Sequence, residues 1–284
     1  MILIADGGST KVDWFAFDTN NNEVFKTRTE GLNPVIISTE EIKNRINRNA
    51  TLNKYKNDIT NIYFYGAGCS SKKMSALLSN EFQKKFNNAQ IEVKEDIMAA
   101  VYAASKGKEA IVCILGTGSN ATYFDGKTAH QNTPSLGFIL MDEASGNYFG
   151  KILLQDYFYK NMPSHLAKTF ASQYNLDADE IKRNLYQENS PNAYLGTFAK
   201  FMYAYKTDKY INSVIKNGFT LFFDRHILPF NKTNVPIYFI GSIAFYFEDI
   251  LTEIALSKDL NIHGVLQRPI NKLIEYHKNN YLTT

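Results

Sequence analysis

The first eighteen residues contain the feature that most limits how this chain can fold, a pair of strand-like segments joined by a short glycine-rich turn. An apolar run at positions 2–4 leads into Asp6, and a second run with β-prone aromatic residues follows at positions 12–17. The turn between them consists of Gly7, Gly8, Ser9, Thr10 and Lys11. Two such runs around a short turn predict a β-hairpin, and glycine, which lacks a Cβ, lets the turn approach another group closely.

This turn also has the chemistry of a phosphate site. Its backbone N–H groups, the hydroxyls of Ser9 and Thr10 and the ammonium group of Lys11 are suitable donors to a phosphate. Asp6 lies at the mouth of the turn, where a carboxylate can hold Mg²⁺ through water. A plain edge hairpin without a ligand is the alternative interpretation of the same residues.

The same pattern occurs again about 110 residues later. An apolar run at positions 111–115 and a second one at 121–124 flank the turn Gly116-Thr117-Gly118-Ser119-Asn120. The repeat indicates two related domains, 1–108 and 109–284, which face each other across a cleft and each offer one glycine turn. The last helix, from about residue 270 to 278, is long enough to pack back onto the first domain.

Strands and helices alternate through the first domain. A third strand is predicted at 24–29, and Ser38 with Glu41 forms a capping box that opens a helix to about Tyr55. Further strands are predicted at 62–65 and 91–93, with a helix between them at 71–86. Asp96 then begins an alanine-rich helix at 97–104. This alternation is typical of an α/β fold. In the second domain, a strand at 237–240 runs into Gly241 and Ser242, which open another helix.

Composition excludes several classes of protein. The chain has 284 residues and a formal net charge of +3, and no basic face is dense enough to predict nucleic-acid binding. Its two cysteines, Cys69 and Cys113, lie in or beside apolar runs, so neither a disulfide framework nor a zinc site is expected. No signal peptide or membrane span is evident, which makes the cytoplasm the expected location.

Three phosphate-binding designs compete for the glycine turns. The sequence has no G-x-x-x-x-G-K-[ST] motif, which excludes a Walker-type P-loop. The segment from Gly116 to Ala121 matches the dinucleotide pattern G-x-G-x-x-G/A, but that pattern requires a helix directly after the turn. A strand follows here instead. Two hairpin turns that hold a triphosphate from opposite sides explain the pattern better.

Five motifs in this order and spacing together resemble a known family. They are Asp6-Gly-Gly-Ser-Thr-Lys11, Asp96 with its helix, Gly116-Thr-Gly-Ser-Asn-Ala121, Asp142-Glu143 and Gly241-Ser242. Over nearly the whole chain they resemble the N-acetylglucosamine kinase and BadF/BadG-type ATPase family, within the superfamily of sugar kinases, actin and heat-shock chaperones. The resemblance implies two ribonuclease-H-like domains of the actin-like ATPase type, with ATP and Mg²⁺ in the cleft, a sugar hydroxyl as phosphoryl acceptor and a homodimer.

The resemblance also assigns roles to residues. Asp96 is the candidate general base, and a simple helix N-cap is the alternative. The residues assigned to the phosphates are the side chains of Thr10 and Thr117 and the N–H groups of Gly7, Gly8, Gly118 and Ser119. Ser9 and Lys11 belong to the same phosphate-binding group. Lys11 equally fits a solvated position in a strand. Gly241 and Ser242 would border the adenosine, or else serve strand-to-helix packing. Asp6 would hold Mg²⁺ through water.

The residues assigned to the acceptor sugar have planar amides or carboxylates that hydrogen-bond hydroxyl groups, or are small. These are Asn33, Ser119, Asn120, Gly137 and Asp142. Asp142 also fits a plain helix cap, and Glu143 either supports it or is only a favourable first-turn acid. The family pattern Gly-Asp-Glu-Gly-Ser is here Met141-Asp142-Glu143-Ala144-Ser145, so two glycines are replaced by larger residues. The replacement puts the identity of the sugar in question.

The sequence thus predicts an ATP-dependent kinase that phosphorylates N-acetylglucosamine or a close amino sugar. An activator ATPase of the acyl-CoA dehydratase or reductase type is the alternative within the superfamily, and it would need cysteines to ligate an iron–sulfur cluster. A non-catalytic sugar-sensing protein that kept the cleft is the alternative from another class.

Overall fold

The computed structural model describes residues 1–8, 11–188, 190–232 and 234–281, which form ten strands and thirteen α-helices. The strands are β1 (Ile2–Gly7), β2 (Lys11–Phe17), β3 (Glu23–Glu30), β4 (Asn61–Gly66), β5 (Gln90–Glu95), β6 (Ala110–Leu115), β7 (Ser119–Phe124), β8 (Ala129–His130), β9 (Ile237–Ile240) and β10 (Ile262–Leu266).

The helices are α1 (Thr39–Arg48), α2 (Ala50–Tyr55), α3 (Lys72–Lys85), α4 (Asp96–Ser105), α5 (Gly146–Phe158), α6 (Ser164–Gln173), α7 (Ala178–Tyr186), α8 (Pro191–Phe198), α9 (Lys200–Ala204), α10 (Lys209–Phe222), α11 (Ser242–Tyr246), α12 (Glu248–Leu256) and α13 (Ile270–Tyr281). Of these described helices, none combines the length and the apolar character that a bilayer span requires.

The chain divides into two compact units. Unit 1 comprises Met1–Lys106 and Pro269–Thr284, and unit 2 comprises Gly107–Arg268. The last helix, α13, therefore belongs to the first unit. That the segments 1–108 and 109–284 are independent domains stays a prediction.

Unit 1 is a five-stranded sheet in the order β3-β2-β1-β4-β5. Strand β1 runs antiparallel to β2 and parallel to β4, and β4 runs parallel to β5. On one face, side chains such as Leu3, Trp14 and Phe64 form an apolar core with Phe82 of α3. The buried indole N–H of Trp14 donates to the hydroxyl of Thr29 at 3.0 Å, so its polar group is satisfied inside this core.

The other face of this sheet is covered by α4 and α13. The Tyr65 hydroxyl of β4 hydrogen-bonds Nε2 of His277 in α13 at 2.9 Å. The rings of Tyr102 in α4 and Tyr276 in α13 stack with centroids 4.7 Å apart. Burial, reinforced by the charge of Lys94, lowers the pKa of His277 to about 3, so this histidine is neutral at physiological pH.

Unit 2 repeats the arrangement with a sheet in the order β10-β9-β6-β7-β8. Strand β6 runs antiparallel to β7 and parallel to β9, as β1 does to β2 and β4. Both predicted hairpins are confirmed, and the two sheets have the same strand order and directions. In the larger core, the helices between β8 and β9 pack with residues of this sheet, and Phe149, Phe170 and Phe219 are fully buried.

One predicted helix is wrong. The helix predicted from Ser38 to Tyr55 is broken into α1 and α2 at Asn49, which has an extended backbone (φ −80°, ψ 109°). The Asn49 side chain accepts a hydrogen bond from the N–H of Leu52 at 2.9 Å, and it thereby caps the second helix. Its amide also donates to the Thr27 hydroxyl of β3 at 3.0 Å. A contact with a distant strand therefore fixes the break.

Candidate active site

The carboxyl ends of three parallel strands lie level at one edge of the unit 1 sheet. Gly7 of β1 is paired with Gly66 of β4, and Gly66 is paired with Glu95 of β5. Because neighbouring strands are about 4.8 Å apart, the ends of β1 and β5 are separated by roughly 10 Å. Ligands of open α/β sheets bind outside this edge. Asp6, the Gly66-Ala67-Gly68 segment and Asp96 all lie there.

The turn after β1 has a specific backbone geometry. A Cβ at Gly7 would lie 2.7 Å from Cζ of Phe64, so only glycine fits there without displacing the core. The N–H of Gly8 donates to the carbonyl of Lys11 at 2.8 Å and closes the hairpin. This N–H, predicted as a phosphate donor, is thus engaged within the protein. The exposed ammonium of Lys11 lies 3.6 Å from Asp13, whereas Ser9 and Thr10 lie outside the described residues.

Asp96 is the first residue of α4, and the preceding Glu95 occupies the N-cap position without a capping bond from its side chain. The simple N-cap alternative for Asp96 is therefore wrong. Its Oδ1 accepts a hydrogen bond from the N–H of Ile97 at 2.9 Å. Burial raises the pKa of the Asp96 carboxyl above its usual value, and this effect outweighs the backbone hydrogen bonds that lower it.

Gly68 and Cys69 connect Asn33 with Asp96. Gly68 has φ +78°, and a Cβ there would overlap the Oδ1 atom of Asn33. Asn33 is buried, and its Oδ1 also accepts a hydrogen bond from the N–H of Val35 at 2.9 Å. Burial and the neighbouring carboxylates of Asp96 and Glu95 raise the pKa of the Cys69 thiol to about 12. The predicted sugar-binding amide and the predicted base thus both adjoin one short loop.

In unit 2, the turn after β6 is fastened to the loop that precedes α5. The N–H of Gly146 donates to the carbonyl of Gly116 at 2.8 Å, and the N–H of Asn147 donates to the carbonyl of Thr117 at 3.0 Å. The Thr117 side chain remains exposed at the tip of the turn. These bonds hold the turn and the loop together as one structure.

The carboxylate of Asp142 lies directly over this turn. Its Oδ1 accepts a hydrogen bond from the N–H of Ser119 at 3.3 Å, so this second predicted phosphate donor also has a protein acceptor. Its Oδ2 accepts a bond from the amide of Asn147 at 2.7 Å. A Cβ at Gly118 would lie 2.9 Å from the same Oδ2 atom, which makes glycine necessary for this close approach.

The loop around Asp142 adopts left-handed backbone conformations. Asp142 has φ +69° and Ala144 has φ +59°, and both are buried. Such residues are strained unless the surroundings hold them. Ala144 therefore occupies a position that favours glycine, whereas Met141 keeps a negative φ and needs no glycine. Gly137 (φ +78°), another residue predicted to bind the sugar, lies in the turn that precedes Asp142. Its carbonyl accepts a hydrogen bond from the N–H of Met141 at 2.9 Å.

Glu143 anchors the loop through an ion-pair cluster that the sequence did not predict. Its buried carboxylate binds Arg225 at Oε1 and His226 at Oε2, the latter at 3.0 Å. Both partners lie in a π-helical turn, Phe223–Ile227, that follows α10. Burial alone would raise the pKa of Glu143, but the bonds from His226 and Arg225 outweigh it and lower the pKa.

The remaining predicted residues have local partners. Asn120 alternates with Ser119 along β7, so their side chains point to opposite faces of the sheet, and its Oδ1 accepts the N–H of Ala121 at 2.8 Å. A Cβ at Gly241 (φ +127°) would overlap the carbonyl oxygen of Leu115, so Gly241 lies against the end of β6. This contact gives Gly241 a packing role, and the assignment of the Gly241–Ser242 pair to the adenosine stays a prediction.

The carboxylate of Asp6 is a possible metal ligand. Among the described residues, no cluster of three or more His, Cys, Asp or Glu side chains could hold a metal by itself. Mg²⁺ usually takes one or two carboxylates together with waters and substrate phosphates. Asp6 is the penultimate residue of β1 and precedes Gly7, where a Cβ would collide with Phe64, so its carboxylate suits that arrangement.

Comparison with solved structures shows which class of protein has this fold. The chain matches the "Putative N-acetylglucosamine Kinase" of Porphyromonas gingivalis with a TM-score of 0.91 and 33% identity, over 99% of this chain and 100% of that chain. For the "Putative N-acetylglucosamine Kinase" of Chromobacterium violaceum the TM-score is 0.71 at 13% identity, over 97% and 98%. A ROK family glucokinase of Streptomyces griseus, in complex with glucose and AMPPNP, matches with a TM-score of 0.58 and 12% identity, over 96% of this chain and 97% of that chain.

The two five-stranded sheets thus have the fold of the sugar kinases. The similarities at 13% and 12% identity show the fold alone. At 33% identity over the whole length, the chain belongs to the same family as the Porphyromonas gingivalis protein. No protein-family model and no curated protein matches the chain.

The close contact of Asp142 with the glycine turn predicts different effects for two alanine substitutions. Gly118→Ala places a Cβ 2.9 Å from the Asp142 carboxylate, whereas a Cβ at Gly116 meets no atom within 4 Å. We expect Gly118→Ala to lower the free energy of unfolding by about 1–3 kcal/mol and Gly116→Ala to change it by less than about 0.5 kcal/mol. Denaturant unfolding of both variants measures this. Equal effects would contradict the described contact.

Proposed function

We propose that this protein is an ATP-dependent kinase that transfers a phosphoryl group to a hydroxyl of N-acetylglucosamine or a related amino sugar. Membership in the family of the Porphyromonas gingivalis protein supports the class of reaction, and the description of that protein as an N-acetylglucosamine kinase supports the amino sugar. The position of Asp96 carries the proposal. A partly buried carboxylate at the carboxyl edge of the sheet adjoins the loop that also contacts Asn33.

Asp96 acts as the general base in this proposal. It accepts the proton of the acceptor hydroxyl as the hydroxyl oxygen bonds to the γ-phosphorus, while the bond from that phosphorus to the β–γ bridging oxygen breaks and ADP leaves. The transition state of phosphoryl transfer is loose, so positioning and charge neutralisation supply most of the catalysis. A pKa raised by burial brings the base closer to the operating pH, where proton transfer is most effective.

The glycine turns of both units bind ATP in this proposal. The phosphates contact Gly7, Gly8, Ser9, Thr10 and Lys11 of the first turn and Thr117 and Gly118 of the second. The adenosine lies beside Gly241 and Ser242. Asp6 would hold Mg²⁺ through water, which would supply neutralisation of the phosphate charge. The position of Asp6 and the exposed hydroxyl of Thr117 support this assignment.

Asp142 and Asn33 are the main contacts of the acceptor sugar in this proposal, with Ser119, Asn120 and Gly137 beside them. An ionised carboxylate has about four acceptor positions. The Ser119 N–H and the Asn147 amide use one position on each oxygen of Asp142. One position on each oxygen therefore remains for hydroxyl donors. A cleft between two ribonuclease-H-like domains, a homodimer and a cytoplasmic location belong to the same proposal.

The structure favours a kinase over an activator ATPase. Cys113 is fully buried in β6, and Cys69 is buried beside Asp96. Burial raises the pKa of both thiols, which opposes the thiolate form that an iron–sulfur cluster requires. A sugar sensor would share the sugar-binding residues, and consumption of ATP in the presence of an amino sugar distinguishes the two functions.

Replacement of the proposed base tests the mechanism. We expect Asp96→Asn to lower kcat by roughly 10²–10⁴-fold, because the amide cannot accept the hydroxyl proton, while the KM values for sugar and ATP change little. Glu95→Gln removes the neighbouring acid and serves as the matched control that keeps turnover. ADP release with Mg²⁺ measures both variants. Near-normal turnover of Asp96→Asn would refute the assignment of the base.

The same substitution has a predicted effect on stability. Burial raises the pKa of Asp96 above its value in the unfolded chain. The contribution of this group to the free energy of unfolding is therefore fully present at pH values below the unfolded pKa, and it is lost as the pH rises through the folded pKa. Asparagine does not titrate. We expect Asp96→Asn to have a higher Tm than the wild type at pH 7 and this advantage to shrink as the pH falls toward about 4.

Calorimetry over that pH range measures the effect, with Asp58→Asn at an exposed position as the control for net charge. A wild-type protein that is more stable than Asp96→Asn at pH 7 would contradict the burial of a charged carboxylate.

A further inference from the structure

Asn147 connects the two parts of the unit 2 site. It lies in the first turn of α5, five residues after Asp142, and is almost completely buried. Its backbone N–H binds the carbonyl of Thr117 at 3.0 Å, and its side-chain amide binds Oδ2 of Asp142 at 2.7 Å. One residue thus holds both the tip of the glycine turn and the proposed sugar-binding carboxylate.

Two buried polar atoms beside this contact have no hydrogen-bond partner among the described residues. They are Oδ1 of Asn147 and Oγ of Ser119. The orientation of the Asn147 amide is fixed because its nitrogen, as the only donor, must face the Asp142 carboxylate. A buried acceptor without a partner destabilises a fold. Asn147 keeps this unfavourable buried acceptor at a packed position, which indicates that the residue has a role other than packing.

We propose that Asn147 is a positioning residue for sugar binding, which fixes the Asp142 carboxylate in the orientation that accepts hydroxyl donors. This inference rests on the proposed sugar kinase function. The Asn147 amide makes the shorter bond to the Asp142 carboxylate, at 2.7 Å, and the backbone N–H of Ser119 makes a longer bond of 3.3 Å to the other oxygen. The ligand class is a pyranose that offers two neighbouring hydrogen-bond donors to Asp142.

The substitution Asn147→Asp gives the proposal a distinctive signature. Two carboxyl groups at hydrogen-bond distance share one proton, and the singly protonated pair reproduces the bond that the amide makes. Loss of that proton at higher pH places two negative charges side by side. The acid next to Asp142 in the sequence, Glu143, is already paired with Arg225 and His226. We therefore expect the sugar KM of Asn147→Asp, divided by the wild-type value, to rise as the pH increases.

The substitution Asn147→Leu removes the bond at all pH values. We expect the KM for N-acetylglucosamine to rise roughly 10- to 100-fold, the effect of one lost charge-assisted hydrogen bond, with the KM for ATP unchanged. Ser145→Ala is the matched control, because Ser145 caps the same helix by accepting the N–H of Tyr148 at 3.2 Å. It should lower Tm while both KM values stay the same.

Steady-state kinetics of the full-length variants with glucose and N-acetylglucosamine test the proposal. A sugar KM that is unchanged in Asn147→Leu, or a KM ratio of Asn147→Asp that is independent of pH, overturns the positioning role. If Asn147→Leu does not fold, the pH profile of the similarly sized Asn147→Asp decides alone. A wild-type protein that consumes no ATP with any amino sugar overturns the proposed function and this inference with it.

Discussion

The alignment of three parallel strands is the constraint on which the rest of the unit 1 site depends. Because β1, β4 and β5 are paired in one register, their carboxyl ends are level at Gly7, Gly66 and Glu95. A shift by one residue would turn every side chain to the opposite face of the sheet. Asp6 and Asp96 are therefore brought to one edge by backbone pairing and by the apolar core that fixes the register, although ninety positions of sequence separate them.

Unit 2 uses the same strand order but builds its part of the site differently. A buried loop folds over the glycine turn after β6, and hydrogen bonds and an ion-pair cluster hold it there. The left-handed residues Asp142 and Ala144 would be unfavourable in an isolated loop. Their strain persists because Glu143, between them, is anchored to the π-helical turn. Such preorganisation is typical of sites that bind a ligand without rearranging.

The sequence predicted the features that depend on local patterns. Both hairpins, the repeat of the fold and the strand that leads to Asp96 follow from alternating apolar runs and from glycine at the turns. The break at Asn49 could not be predicted, since it depends on a bond to Thr27 in a distant strand. Asn147 and the partners of Glu143 were missed for the same reason. The Gly66-Ala67-Gly68 segment was visible after its strand, but only the register reveals that it adjoins Asp96.

In the proposed reaction, the carboxylate of Asp96 faces the hydroxyl that receives the phosphoryl group. A crystal structure of the Asp96→Asn protein with N-acetylglucosamine, Mg²⁺ and a non-hydrolysable ATP analogue tests it most directly. We expect a sugar hydroxyl within hydrogen-bond distance of the side-chain amide at position 96. A sugar bound away from position 96, with the analogue in place, would contradict it.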